Sequence, residues 1–345
     1  MIHRSKAPLR LGLAGGGTDV SPFSEQYGGA VMNATVSMYA YASIEEIDAA
    51  RVEIVAEDKE ERFAVDWTEE LPIDGVLSLQ KGVHNRLVRD GVVPKGQGYR
   101  LTTFVEAPSG SGLGTSSTLV VAILGAYTEW LSLPLGEYDT AHLAYEIERE
   151  DLAMPGGKQD QYAATFGGFN FMEFGDDKVI VNPLRVKSHL ANELCHNLLL
   201  FYTDTSRDSG HIIAEQQAHV RENDHDAIAA TQSLKQQAVM MKEALLTGRV
   251  DRIGDILDFG WENKKRLASK VTNPLVEELY AAAKGAGALG GKISGAGGGG
   301  FMVFYTPGDA RFDVIRALQD LGARQQIYQF SESGLSTWTT SGTTR

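Results

Sequence analysis

The spacing of apolar and polar positions divides the chain into two textures. In the first half most runs have the length and period of strands. Residues 9–13, 30–36 and 39–45 are short β-like runs, and 51–56 and 62–65 alternate as half-buried strands do. Residues 75–90 instead carry Val76, Leu79, Val83 and Leu87 at helical spacing, with Gly91 as the stop. Residues 99–106 alternate again, and 118–131 form a continuous helical run rich in Leu, Val and Ala. A helix over 141–152, heavy with Glu146, Glu148, Glu150 and Asp151, and a helical stretch to Phe166 follow.

After Asn182-Pro183 the texture changes. Residues 198–202 read as a buried strand, and three long helical stretches run from about 210 to 284, with breaks near Asn223-Asp224 and Gly248. Residues 301–305, 310–321 and 326–330 read as strand, helix and strand; the Ser/Thr/Gly-rich tail from Ser331 is expected to end in mobile residues. Strands and helices that segregate in this way predict an α+β fold. The chain's 345 residues suit two domains, expected at 1–183 and 184–345.

Composition narrows the classes. A hydrophobic content of 43% with 22% charged residues is that of a soluble globular protein, and the formal charge of −13 argues against nucleic-acid or membrane partners. It leaves a nucleotide substrate open, because phosphate sites are local. The single cysteine, Cys195, excludes an internal disulfide and fits a reducing cytoplasm; its apolar surroundings predict an inert thiol. Arg10 and the glycines of 15–17 interrupt the only N-terminal apolar patch, so no signal-peptide core is expected and the protein reads as cytoplasmic. The eight histidines show no zinc spacing. The sequence does not give the oligomeric state; a homodimer is a possible assembly.

The chemistry gathers at glycine. Pro108-Ser109-Gly110-Ser111-Gly112-Leu113-Gly114-Thr115-Ser116-Ser117 lies between a strand and a helix. Glycines let the backbone turn its N–H groups inward, and a helix N-terminus adds unpaired donors and partial positive charge. The three hydroxyls can cap the helix, touch a phosphate or ligate Mg²⁺. No Gly-Lys-[Ser/Thr] follows, so this is not a Walker A loop. Two further glycine-rich stretches, 14–19 and 292–300, make sense if all three converge on one ligand.

These three stretches resemble, in order, the motifs of the GHMP small-molecule kinases. The first is Lys6-Ala7-Pro8-Leu9-Arg10-Leu11-Gly12-Leu13-Ala14-Gly15-Gly16-Gly17-Thr18-Asp19, the second is the loop above, and the third runs from Lys292 to Gly300. The resemblance spans roughly residues 4 to 330 and implies a two-domain fold: an N-terminal ribosomal-protein-S5-domain-2-like half and a C-terminal ferredoxin-like half. The Ala-Gly-Gly-Gly-Thr-Asp form of the first motif, with Gly156-Gly157-Lys158-Gln159-Asp160-Gln161-Tyr162, resembles the heptose 7-phosphate kinase branch. Those enzymes use ATP and Mg²⁺ to phosphorylate the anomeric hydroxyl of a sugar phosphate. Rival readings are a galactokinase- or fucokinase-like sugar 1-kinase, an ATP-driven decarboxylase of the same superfamily and a non-catalytic sugar sensor.

The resemblance implies roles. Gly110, Ser111, Gly112, Leu113, Gly114 and Thr115 wrap the ATP phosphates, with Pro108 and Ser117 at the ends of the loop, and Ser116 ligates Mg²⁺. Glu148 is the expected metal carboxylate; Glu146 and Glu150 compete, and at roughly 100° per residue the three cannot face one point. Asp160 corresponds to the catalytic aspartate and Arg10 to its basic partner. Positioning and charge stabilisation then outweigh strict base catalysis, since a loose phosphoryl-transfer transition state releases the hydroxyl proton late. Gly16, Gly17, Thr18 and Asp19 are expected at the sugar hydroxyls, with Gly297 and Gly298 in a loop closing over the site. A distal phosphate would need a cation from among Lys6, Lys158, Arg207 and Lys292, with Arg207 slightly favoured.

Overall fold

The computed structural model describes residues 1–176, 178–203 and 209–341. Strand β1 (Ile2–Ala14) leads through a glycine-rich loop and the short helix α1 (Phe23–Tyr27) into β2 (Gly29–Glu46). Then come β3 (Arg51–Ala56), β4 (Glu61–Asp66), α2 (Ser78–Arg89), β5 (Tyr99–Val105) and α3 (Thr115–Leu131). Next are α4 (Glu137–Glu146), a π-helical turn (Ile147–Asp151), α5 (Gln159–Phe166) and a hairpin of β6 (Phe169–Phe174) and β7 (Val179–Pro183). The second half runs α6 (Ser188–Asn197), β8 (Leu198–Tyr202), α7 (Ser209–Arg221), α8 (His225–Leu246), a 3-10 turn (Val250–Arg252) and α9 (Ile253–Lys264). It ends with α10 (Pro274–Gly285), β9 (Gly290–Ile293), β10 (Phe301–Tyr305), α11 (Ala310–Asp320), β11 (Arg324–Gln326) and β12 (Ser336–Thr340).

Two sheets organise these elements. One has the order β12-β1-β2-β5-β3-β4, with the β6–β7 hairpin added to β2; the other is β11-β8-β10-β9. All pairings are antiparallel except β3 with β5. The expected runs 30–36 and 39–45 are one strand. At Ser37, the polar residue between them, β2 exchanges one partner for another: residues 29–34 pair with β6 and residues 40–46 with β5. Ser37 itself donates its N–H to Gln329 O at 2.8 Å, and its Oγ accepts from Gln329 N–H at 2.9 Å. This contact explains the fate of the expected strand 326–330. Only Arg324–Gln326 joins the second sheet; Phe330 bridges to Val36 in the first.

The tail also returns. Its residues Ser336–Thr340 pair with Lys6–Ile2 at the edge of the first sheet, so the last described segment of the chain belongs to the sheet that begins it. Residues 342–345 lie outside the described residues. The three helical stretches expected after 210 are four, because residues 265–273 interrupt the last. Asn273 Oδ1 accepts the Val276 N–H at 3.1 Å and Pro274 follows at the first helical position, a strong start signal for α10.

Helix α3 is the centre of the first half. It is apolar almost all round, and such a helix needs partners on every side. It packs on β1 and β2 and is covered by α2, α4 and α5. Val120, Val121, Ile123 and Leu124 are fully buried, each worth about 1.5–3 kcal/mol of burial. The second sheet has its own core, with Leu199, Phe201, Met302 and Phe304 facing Trp261, Val276 and Leu279. No described helix is long and apolar enough to cross a membrane.

Candidate active site

The three glycine-rich stretches meet at one cleft between the two halves. In the middle stretch Gly110, Gly112 and Gly114 have φ of 73°, 85° and 76°, a region that side chains disfavour. Gly114 immediately precedes α3, and no side chain caps that helix. The first-turn N–H groups are therefore left for a ligand. Thr115, Ser116 and Ser117 line the cleft, so the capping role open to them in the sequence is not taken.

The third stretch is this loop's packing partner. Ser294 Oγ donates to Gly112 O at 2.8 Å and Phe301 N–H to Ser111 O at 2.9 Å. A Cβ on Gly112 would lie 2.2 Å from Ser294 O, and one on Gly300 2.4 Å from Ser111 O, so neither tolerates a side chain. Gly297 lines the cleft. Gly298, expected beside it, instead donates to Val271 O at 2.8 Å and accepts from Asn273 Nδ2 at 3.0 Å, contacts that anchor the loop to the start of α10. Leu113 and Ser111 are fully buried, and Pro108 is exposed with its carbonyl accepting Ser111 N–H at 3.2 Å. These three shape the loop from outside the cleft lining.

Asp160 and Arg10 come together as expected from the motifs. Arg10 Nε and Nη2 grip the two carboxylate oxygens at 2.7 and 3.0 Å, and Nη1 donates to Gly112 O at 2.5 Å. The Arg10 side chain is 5% exposed and that of Asp160 21%, so the arginine is wall and the aspartate looks into the cleft. A Cβ on Gly114 would stand 3.1 Å from Asp160 Oδ2. The absent side chain lets the carboxylate lie against the phosphate-type loop.

Asp19 is 2% exposed and already accepts several N–H groups. Its Oδ2 takes Lys158 N–H at 3.0 Å and Gln159 N–H at 3.1 Å, and its Oδ1 takes Gly17 N–H at 3.2 Å and Gln159 Nε2 at 3.3 Å. The carboxylate thus caps the first turn of α5, the helix carrying Asp160, from across the fold. It also lines the cleft, as do Gly16 and Gly17. Thr18 does not: its hydroxyl, fully buried, bonds Gly15 O and Ala30 O at 2.9 Å each and fastens the loop to β2. Gln159 Oε1 is buried without a partner among the described residues and lies in the lining, an acceptor left for a ligand.

Of the three glutamates only Glu148 faces the cleft. Glu146 pairs with Arg86 at 2.7 Å on the outer side, and Glu150 is exposed. The Glu148 carboxylate is buried, accepts from Gln161 Nε2 at 2.5 Å and has the Arg149 guanidinium 3.7 Å away. Burial pushes its pKa up, opposed by Arg149, Ser117 and Gln161. Among the described residues no three His, Cys, Asp or Glu side chains converge on one point. A single buried carboxylate beside serine hydroxyls still fits Mg²⁺, which prefers oxygen and keeps several waters.

The candidate cations separate clearly. Lys158 turns outward to Glu25 at 2.8 Å and over Tyr145, and Lys6 lies over Tyr39 on the sheet, so neither lines the cleft. Arg207 lies outside the described residues. Lys292 is in the lining, with its Nζ 2.7 Å from Gly12 O. Lys264, Arg149, Gln159 and Ser294 also line it and had no role in the sequence reading. Gln159 adjoins Asp160 within the Gly156–Tyr162 motif, which is a signal; Lys264 sits in a charged helix end that resembles any solvated surface.

The GHMP kinases N terminal domain family matches residues 78–168 and the GHMP kinases C terminal family residues 241–324. A curated relative, the D-glycero-alpha-D-manno-heptose 7-phosphate kinase of Campylobacter jejuni, is 43% identical over 336 residues, covering 97% of this chain and 98% of its own. Among solved structures, a D-glycero-D-manno-heptose 1-phosphate kinase from Bacteroides thetaiotaomicron superposes with a TM-score of 0.84 at 46% identity, covering 99% of this chain and all of its own. Lactococcus lactis galactokinase, at 18% identity and a TM-score of 0.77 over 97% of this chain and 95% of its own, shares the fold.

Proposed function

The chain belongs to the GHMP kinases, and from that premise we propose that it is an ATP-dependent heptose kinase that phosphorylates the anomeric hydroxyl of D-glycero-D-manno-heptose 7-phosphate. The observation that carries this reading is the Arg10–Asp160 pair set directly against the Gly110–Ser117 loop, so that an acceptor hydroxyl and a nucleotide γ-phosphate have adjoining places. Both heptose-kinase relatives bear names in which the sugar carries a phosphate, though the names differ in its position.

In this reading the loop N–H groups and the open first turn of α3 hold the nucleotide phosphates. Ser116 and Glu148 would hold Mg²⁺, which when bound neutralises charge on the transferring phosphoryl group. Asp160 accepts the hydrogen bond of the attacking hydroxyl and fixes its direction; Arg10 keeps the carboxylate oriented by two contacts. Asp19 holds α5 in place, and the open Gln159 Oε1 accepts from a sugar hydroxyl.

The test is a panel of sugars and sugar phosphates incubated with ATP and Mg²⁺, with product positions read by phosphorus and carbon NMR. A 1,7-bisphosphate formed from heptose 7-phosphate is the expected result. Turnover of galactose or fucose in preference to heptose 7-phosphate overturns the assignment, and a second phosphate at any position but C1 corrects the regiochemistry.

A further inference from the structure

Two lysines of the second half reach across the cleft into the first motif. Lys264 ends α9 and is 4% exposed; Lys292 lies on β9 and is 5% exposed. Among the described residues Lys264 Nζ makes one hydrogen bond, to Gly16 O at 3.3 Å, and Lys292 Nζ one, to Gly12 O at 2.7 Å. An ammonium has three donors, so each lysine keeps two. Neither is within salt-bridge reach of a carboxylate among the described residues, and the cleft's carboxylates have other partners. Arg10 holds Asp160, Arg149 stands by Glu148, and Asp19 spends its oxygens on four N–H contacts.

The amide of Gln159 lies close to both. The position of a Cβ on Gly12 is 3.8 Å from Lys292 Nζ and 4.0 Å from Gln159 Oε1; that on Gly16 is 3.8 Å from Lys264 Nζ and 3.9 Å from Gln159 Nε2. Two buried cations and an amide therefore surround one short stretch of the first motif. Desolvation depresses both lysines, and Lys292 is depressed further by Lys264 and Arg10. Asp19 pulls Lys264 the other way without forming an ion pair with it, and buried charges are ordinarily paired.

We propose that Lys264 and Lys292 form the subsite for the phosphate that the sugar substrate already carries, with the open Gln159 Oε1 nearby accepting from an adjoining sugar hydroxyl. The proposal rests on the kinase reading above and adds the residues that make the enzyme demand a phosphorylated acceptor. A phosphate monoester carries close to two negative charges at neutral pH, which matches two ammoniums. The nucleotide phosphates have separate donors in the Gly110–Ser117 loop.

Steady-state kinetics of the full-length protein, Lys264→Met, Lys292→Met and Lys264→Arg test this, using ATP with heptose 7-phosphate and with unphosphorylated heptose. Each Met variant is expected to lower the kcat/KM ratio of phosphorylated to unphosphorylated heptose by about tenfold or more, the size of a lost charged hydrogen bond. Lys264→Arg should recover part of the ratio, a result that separates lost charge from lost structure. An unchanged ratio, or a KM for ATP that rises by the same factor as that for the sugar, overturns the subsite. The wild-type column judges the kinase reading separately: no turnover of heptose 7-phosphate sinks that reading whatever the variants do.

Discussion

Replacing Lys264 with methionine should make the protein more stable and less able to use a phosphorylated sugar. The ammonium is 4% exposed, and desolvation, with help from Arg10 and against the pull of Asp19, lowers its pKa from 10.5 to about 8. A depression of that size means about 3 kcal/mol set against the charged form at neutral pH. Methionine keeps much of the length and volume while removing the charge. It forfeits the 3.3 Å contact to Gly16 O, worth roughly 1 kcal/mol, but Gly16 is half-buried and cleft water can replace the donor. The balance is about 2 kcal/mol in favour of the variant, or about 3 °C in Tm for a chain of this length. The folded-state pKa lies below the unfolded one, so the unfolded chain binds more protons between about 8 and 10.5 and wild-type stability rises with pH across that window. The advantage of Lys264→Met should therefore be full at pH 7 and fade toward pH 10. Thermal unfolding of both proteins at pH 7, 8.5 and 10 measures it. A variant that melts lower than wild type at pH 7 would refute the reasoning, because the cation would then be compensated within the protein.

Other expectations follow from the same geometry. Asp160→Asn keeps the shape beside Arg10 but loses the charge, and should cut kcat by about 10²–10⁴-fold and lower Tm as well, because the buried Arg10 guanidinium is left without its counter-charge; a kcat loss under threefold removes Asp160 from the chemistry. Gly157→Ala would put a methyl 1.9 Å from Asp19 Oδ2, pushing that carboxylate off the start of α5; a loss of about 1–3 kcal/mol in thermal unfolding, together with reduced kcat, is expected. Glu148→Gln should raise the Mg²⁺ concentration for half-maximal rate by about tenfold or more while leaving the sugar KM nearly unaltered, as a magnesium titration would read. In wild type, kcat/KM for heptose 7-phosphate should fall as pH rises past about 8 and Lys264 loses its proton, and this limb should disappear in Lys264→Met.

How much of this was legible depends on how far apart the partners lie in the chain. Strands 51–56 and 198–202 have the bounds their own apolar patterns give, because periodicity and turn residues are local signals. The glycine stretches were legible as a set, since backbone that must pass close to a ligand or another backbone excludes a side chain. The join of 30–36 with 39–45 was not, because the Ser37 contact that carries the strand through comes from Gln329, 292 residues later. The same holds for the tail: its polar composition reads as loose, yet β1 has an open edge that five of its residues fill.

The site shows the limit most sharply at Asp19. A carboxylate beside three glycines suits polyol hydroxyls, and nothing near it in sequence says that its acceptors are already taken. They are taken by the N–H groups of residues 158 and 159, about 140 positions away. The consequence is chemical as well as structural. With Asp19 committed to α5 and Thr18 to β2, recognition of the sugar falls, in the proposed reading, to groups with spare capacity: Gln159 Oε1 and the free donors of Lys264 and Lys292. In that reading an acceptor amide close to two cations favours an anionic ester flanked by hydroxyls over a neutral hexose. In the proposed reading the first motif works mainly as the frame that holds Asp160 and presents Gly12 and Gly16 to the lysines, while the sugar's phosphate is met from the second half, by Lys292 of the third motif and by Lys264, which the sequence offered only as part of an ordinary charged helix.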